Sequence, residues 1–131
     1  MSDLTDEELE FLHSTFDLAR DGSLELLAFI DQGLPANLTN PKGDTLLILA
    51  AYRGHGELVS GLLARGADTE RINQRGQTAL VAAVFKQSEP IVRALLGAGA
   101  DPRGGSPDAL ATAAFFDLPA MRALLAEAVG E

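Results

Sequence analysis

The chain has 131 residues, 47% of them hydrophobic, and its ten Lys and Arg against nineteen Asp and Glu leave a formal net charge of −9. That length suits one elongated core, and the charge argues against a nucleic-acid binder, whose phosphate contacts need a basic surface. Cysteine is absent, which removes disulfides, thiolate metal sites and a cysteine nucleophile together, and no apolar run approaches the roughly 18 residues of a membrane span.

The first predicted element opens at Thr5-Asp6-Glu7-Glu8. Thr5 as N-cap with Glu8 three residues on makes a capping box, Leu4 and Leu9 can close a hydrophobic staple, and the acids suit the positive end of a helix dipole. A helix over 5–20 follows, with Leu9, Leu12, Phe16 and Ala19 on its inner face, and a second over 23–32 before Gly33. Met1-Ser2-Asp3 is acidic where an export signal would be basic, so none is expected and a cytoplasmic location follows by default. Residues 1–38 hold Asp3, Asp6, Glu7, Glu8, Glu10, Asp17, Asp21, Glu25 and Asp31 against Arg20 alone. This acidic end reads as a solubilising cap, with an electrostatic landing site for a basic partner as the alternative.

From there the chain repeats itself. An offset of 33 relates Gly43 to Gly76, Thr45 to Thr78, Leu47 to Leu80, Ala50 to Ala83, Val59 to Val92, Leu62 to Leu95, Gly66 to Gly99 and Asp68 to Asp101. Thr45 and Thr78 stand as N-caps before short Ala-rich apolar stretches, predicting helices over 45–53 and 78–86. Gly54, Gly66 and Gly99 fall where helices end, so second helices are expected over 56–65 and 89–97. A last pair is predicted over 107–116 and 118–128, preceded by a shortened loop, Arg103-Gly104-Gly105-Ser106, with a blunter tip. Ser88-Glu89-Pro90 and Asp117-Leu118-Pro119 match as helix starts, a capping residue followed by proline in the first turn.

The period and the run from Asn40-Pro41-Lys42-Gly43-Asp44-Thr45 through Gly54-His55 to Gly66-Ala67-Asp68 resemble the ankyrin repeat. The resemblance implies an all-α solenoid of about four helix-turn-helix units with short finger loops. A degenerate capping unit would occupy about 5–38, two repeats 40–72 and 73–103, and a truncated capping unit 104–131. Where the family usually carries Thr-Pro-Leu-His, this chain has Thr45-Leu46-Leu47-Ile48 and Thr78-Ala79-Leu80-Val81, which shifts the burden from hydrogen bonding to burial.

No catalytic constellation emerges, and no cofactor or metal is expected. His55 sits in a Gly54-His55 turn that the resemblance makes structural, and His13 reads as a solvated surface residue; neither has two further ligands at metal-site spacing. No Ser or Thr lies in a nucleophile elbow, and no phosphate-binding glycine loop is present. The resemblance places function on the finger tips and the inner-helix face. It carries over to Pro41, Lys42 and Asp44, and to Gln74, Arg75 and Gln77, at the tips, and to Tyr52 with Arg53, Phe85 with Lys86, and Phe115 with Phe116 on the face. Aromatics interleaved with cations have the composition of interface hot spots; for Phe115 and Phe116 a place in the core is the competing expectation. The chain is therefore expected to be a non-catalytic protein-binding module, monomeric in isolation, with another protein as partner and neither nucleic acid nor membrane. The alternative is a structural protein that associates with itself through the same face or an end repeat.

Overall fold

The computed structural model describes residues 4–130; Met1, Ser2 and Asp3, which open the acidic run, lie outside the described residues, as does Glu131. The described residues form eight helices and no strand: α1 (Asp6–Asp21), α2 (Glu25–Asp31), α3 (Leu46–Tyr52), α4 (Gly56–Ala64), α5 (Ala79–Lys86), α6 (Glu89–Gly97), α7 (Ala109–Phe115) and α8 (Pro119–Ala128). Only isolated bridges, Thr39 to Thr45 and Gly105 to Asp108, interrupt the helical architecture. The inner helices stack in the order α1, α3, α5, α7, while α2, α4 and α6 form an outer layer.

Polar caps start the inner helices. Thr5 and Glu8 complete the capping box; Thr45 Oγ1 accepts from Ile48 N at 3.0 Å, Thr78 Oγ1 from Val81 N at 3.2 Å, and Asp108 Oδ1 from Ala111 N at 2.8 Å. The outer helices start differently from expectation. Ser88 occupies the N-cap of α6 without a side-chain bond, and α8 is preceded by Leu118, not by Asp117.

The reason lies in how each inner helix ends. Ser23, His55, Ser88 and Leu118 donate their amides five residues back, to the carbonyls of Leu18, Ala50, Ala83 and Ala113. Four Schellman turns thus reverse the chain at equivalent places. Each needs a left-handed residue just before the donor, and these are Gly22, Gly54, Gln87 and Asp117, with φ of 73°, 80°, 62° and 53°. Asp117 is held in the turn, so the capping role expected of it is unavailable. Gly66 and Gly99 close α4 and α6 in the same left-handed conformation.

The core is continuous. Leu46–Ala51 and Ala79–Val84 are buried without a break, and from the outer helices Leu58, Val59, Leu62, Ile91, Val92 and Leu95 fill the space between layers. In α1 the inward residues are Thr15, Phe16 and Ala19, whereas Leu9 is exposed and Leu12 only half-buried. The expected inner face is too long at its start because α1 has 16 residues and its neighbour α3 has 7, so the first turns have no inner helix to meet. Phe11 instead packs edge-on against Phe29 of α2 at 5.2 Å.

A bidentate pair ties α2 to α4: Arg65 Nε donates to Asp31 Oδ1 at 2.8 Å and Nη2 to Oδ2 at 3.0 Å, while Nη1 reaches the Gly61 carbonyl. The hydrogen bonds from Arg65 hold the Asp31 carboxyl below its ordinary range. A carboxylate with a depressed folded pKa stabilises above its unfolded pKa, and that contribution disappears as pH falls through the folded one. In an NMR titration Asp31 should ionise at lower pH in the wild type than in Arg65→Gln, and any stability difference between the two should shrink in acid. A shared titration midpoint would show that the pair does not persist in solution.

Burial also sets the cost of truncation. Leu95 is fully buried and Glu127 exposed, so Leu95→Ala should cost about 2–5 kcal/mol and Glu127→Ala no more than about 0.5 kcal/mol. Chemical denaturation of both variants measures the difference.

Candidate functional site

The Schellman turns bring the C-terminal ends of the inner helices to one edge of the stack, and with them Tyr52, Arg53, Phe85, Lys86, Phe115 and Phe116. Tyr52 and Phe85 hold equivalent positions in successive repeats, and their rings lie parallel with centroids 5.7 Å apart. Phe85 meets Phe116 edge-on at 5.5 Å, and Phe116 meets Phe115 at 5.0 Å. The four rings make one unbroken strip. Phe115 is 81% exposed and Phe116 43%, which excludes the core placement that was the competing expectation. Tyr52 differs from the others in being half-buried and packed against the core. Arg53 and Lys86 flank the strip and are exposed.

Side chains from one repeat fill space that glycine leaves in the one before. The stem of Lys86 lies over Gly54, and the His55 ring lies over Gly22. His55 Nε2–H donates to the Arg20 carbonyl at 2.6 Å, so this histidine links the first two units. His13 is exposed.

The fingers are built on two asparagines that the sequence reading did not single out. Asn40 Oδ1 accepts from Lys42 N and Asp44 N at 3.0 and 2.9 Å, and Asn73 Oδ1 accepts from Arg75 N and Gln77 N at 2.9 and 3.0 Å. Asn40 and Asn73 are separated by the repeat offset of 33, a signal present in the sequence. Asn73 Nδ2 also donates to Asp44 Oδ1 at 2.8 Å and Gln77 Oε1 at 3.2 Å. Asp44 and Gln77, carried over as tip residues, therefore spend their side chains on Asn73, Asp44 across to the next finger and Gln77 within its own, and both are half-buried. Gln74 also joins the two fingers, donating from its side chain to the Pro41 carbonyl and from its amide to Lys42 O. Gly43 permits this approach: its φ is +80°, and a Cβ there would come 3.1 Å from Asn73 Cα. Lys42 and Arg75 remain exposed. The third finger lacks the asparagine, yet Ser106 N bonds Gly76 O of the finger before it at 2.9 Å, as Gln74 N bonds Lys42 O.

Between fingers and inner helices runs a groove. One stretch, about 170 Å³, is lined by Arg20, Lys42, Arg53 and Arg75 together with Asp44 and Tyr52. The next, about 410 Å³, shares Arg75 and Gln77 with the first and continues over Val81, Phe85, Pro107 and Phe115. Arg20 was not among the expected site residues, although it stands two places before Gly22 as Tyr52 stands two before Gly54. Among the described residues no group of three His, Asp or Glu side chains is placed to hold a metal ion, and no helix is long and apolar enough to cross a membrane.

Residues 16–104 match a family model described as ankyrin repeats in three copies. A Pseudomonas aeruginosa protein whose name describes it as an ankyrin repeat protein is 54% identical over 54 residues, which are 40% of this chain. The match spans about a third, 32%, of that relative's length.

Asn73 is buried and holds two amides and two side chains in place. Asn73→Ala should cost about 1–3 kcal/mol, since its partners lose bonds that no neighbour replaces, whereas Gln74→Ala should stay within about 1 kcal/mol. Urea titration of the two variants compares them, and equal losses would remove Asn73 from its role as finger anchor.

Proposed function

The chain belongs to the ankyrin-repeat family, and we propose that it acts as a non-catalytic binding module in the cytoplasm, taking a partner protein along the groove between the fingers and the inner helices. Ankyrin repeats are generally protein–protein interaction modules and typically non-catalytic. For this chain the role would be that of an adaptor, inhibitor or accessory protein. The observation that carries the choice of face is the strip of Tyr52, Phe85, Phe116 and Phe115, joined ring to ring and left in solvent at its far end. Exposed aromatics in one contiguous patch cost free energy in a monomer and offer hot-spot anchors to a partner. Fingers cross-linked through Asn73 and Gln74 hold their shape before binding, which lowers the entropy lost on association.

Partner capture from native lysate, identified by mass spectrometry, supplies the ligand for the test. Phe85→Ala combined with Phe115→Ala should weaken binding by at least about 2 kcal/mol, roughly thirtyfold. Both rings are exposed, so the same variant should keep its stability within about 1 kcal/mol. Tyr52 is half-buried, and its truncation would mix binding with folding. As the one tyrosine in a chain without tryptophan, it serves better as a fluorescent reporter of a tryptophan-free peptide. Undiminished binding without the two phenylalanines would move the site to the finger tips at Lys42 and Arg75.

A further inference from the structure

The charge in the groove runs against the charge of the molecule, and from this we infer that the groove takes an extended acidic peptide segment with an apolar anchor. The inference rests on the groove being the binding face and names the chemistry of what it binds. In a chain of net charge −9, the basic stretch of the groove gathers Arg20, Lys42, Arg53 and Arg75 around a single carboxylate, Asp44. That carboxylate is already bonded to Asn73. Three of the cations outside it are paired: Arg65 with Asp31, Arg71 with Asp68 and Arg93 with Glu89. Within the groove, Arg20 pairs with Asp17 at its edge, while Lys42, Arg53 and Arg75 form no ion pair among the described residues. Four cations gathered around one carboxylate that is already bonded elsewhere are positioned for a carboxylate from outside.

Geometry fixes the form of the ligand. Neighbouring helices pack about 8–10 Å apart, so equivalent groups one repeat apart, such as Lys42 and Arg75, recur at about that interval. An extended segment rises about 3.3 Å per residue; acids three positions apart therefore match successive repeats. Beyond Arg75 the groove changes character to Val81, Phe85, Pro107 and Phe115, which suits one large apolar side chain. Arginine forks favour paired carboxylate oxygens. A nucleic acid would offer the same cations its phosphates, but its evenly charged backbone has to pass the acidic remainder of the molecule. A second copy of the chain brings the same net charge of −9.

A random peptide library displayed on phage and selected on the full chain tests the assignment. The peptides recovered should be enriched in Asp and Glu about three positions apart beside a Phe, Leu or Trp. In fluorescence anisotropy they should bind at least about tenfold more tightly than counterparts with Gln and Asn in place of the acids. The variant carrying Arg53→Glu and Arg75→Glu, confirmed as folded by circular dichroism, should lose these peptides and select basic ones instead. Recovered peptides that need Phe85 and Phe115 but carry no acidic bias would overturn the acidic ligand and leave the groove as binding face. A library that yields nothing dependent on either pair would overturn both. Tight binding of single-stranded RNA, or a dimer in sedimentation velocity that the charge-reversed variant abolishes, would assign the groove to those occupants and sink the peptide.

Discussion

Leu46–Ala51 and Ala79–Val84 leave no side of their helices to water, and that single condition dictates the rest. A helix apolar on every side cannot exist on the surface of anything. Each of these two must have an inner helix before it, another after it and an outer helix behind it, so a lone unit is never a folded unit. The small residues Ala50, Ala51, Ala82 and Ala83 then let backbones approach closely, and the branched residues of α4 and α6 close the space behind them. The absent Pro and His of the usual repeat signature are compensated here, because Ile48 and Val81 are buried where a polar side chain would need a partner.

What such a stack leaves to water is its edge. The helices are short, and the left-handed residue that ends each inner helix turns the chain back at once. The last residues before the turn are thereby the only part of α3 and α5 that can face outward. Tyr52, Phe85 and Phe115 stand there because of register, not because of any signal of their own. Their contact across repeats follows from the close approach of the helices carrying them. The fingers at the opposite ends face the same groove, and the two asparagines replace a sheet: each bonds its own loop closed, and Asn73 bonds the loop before it as well.

Electrostatics divides the molecule a second way. Outside the groove, Arg65, Arg71 and Arg93 sit beside carboxylates at three- or four-residue spacing or across helices, pairs that contribute little at an exposed surface but neutralise it locally. The acids of α1, Asp6, Glu7, Glu8, Glu10, Asp17 and Asp21, do not line the groove, although Arg20 of the same helix does. A local basic surface thus persists inside an acidic molecule, and screening over about 8 Å at physiological salt keeps the two from cancelling.

Sequence by itself determined the periodic part of this protein. Thr45, Thr78, Gly54, Gly66 and Gly99 are local signals, read from one residue's hydrogen bond or dihedral preference, and the helices lie within a residue or two of where those signals put them. The first and last units were legible more coarsely. Leu9 was misassigned because helical periodicity says which residues share a face but not how far along a neighbour extends. Gln87 and Asp117 were invisible as left-handed turns because neither is glycine, and the surrounding turn forces a conformation their side chains do not favour. The tertiary structure alone decided that Phe115 and Phe116 stay outside, that Asp44 binds the protein instead of the solvent, and that Arg20, some thirty residues from Arg53, lines the same groove. Each of these depends on contacts between repeats, and a spacing rule within one repeat carries no information about what the next repeat brings to meet it.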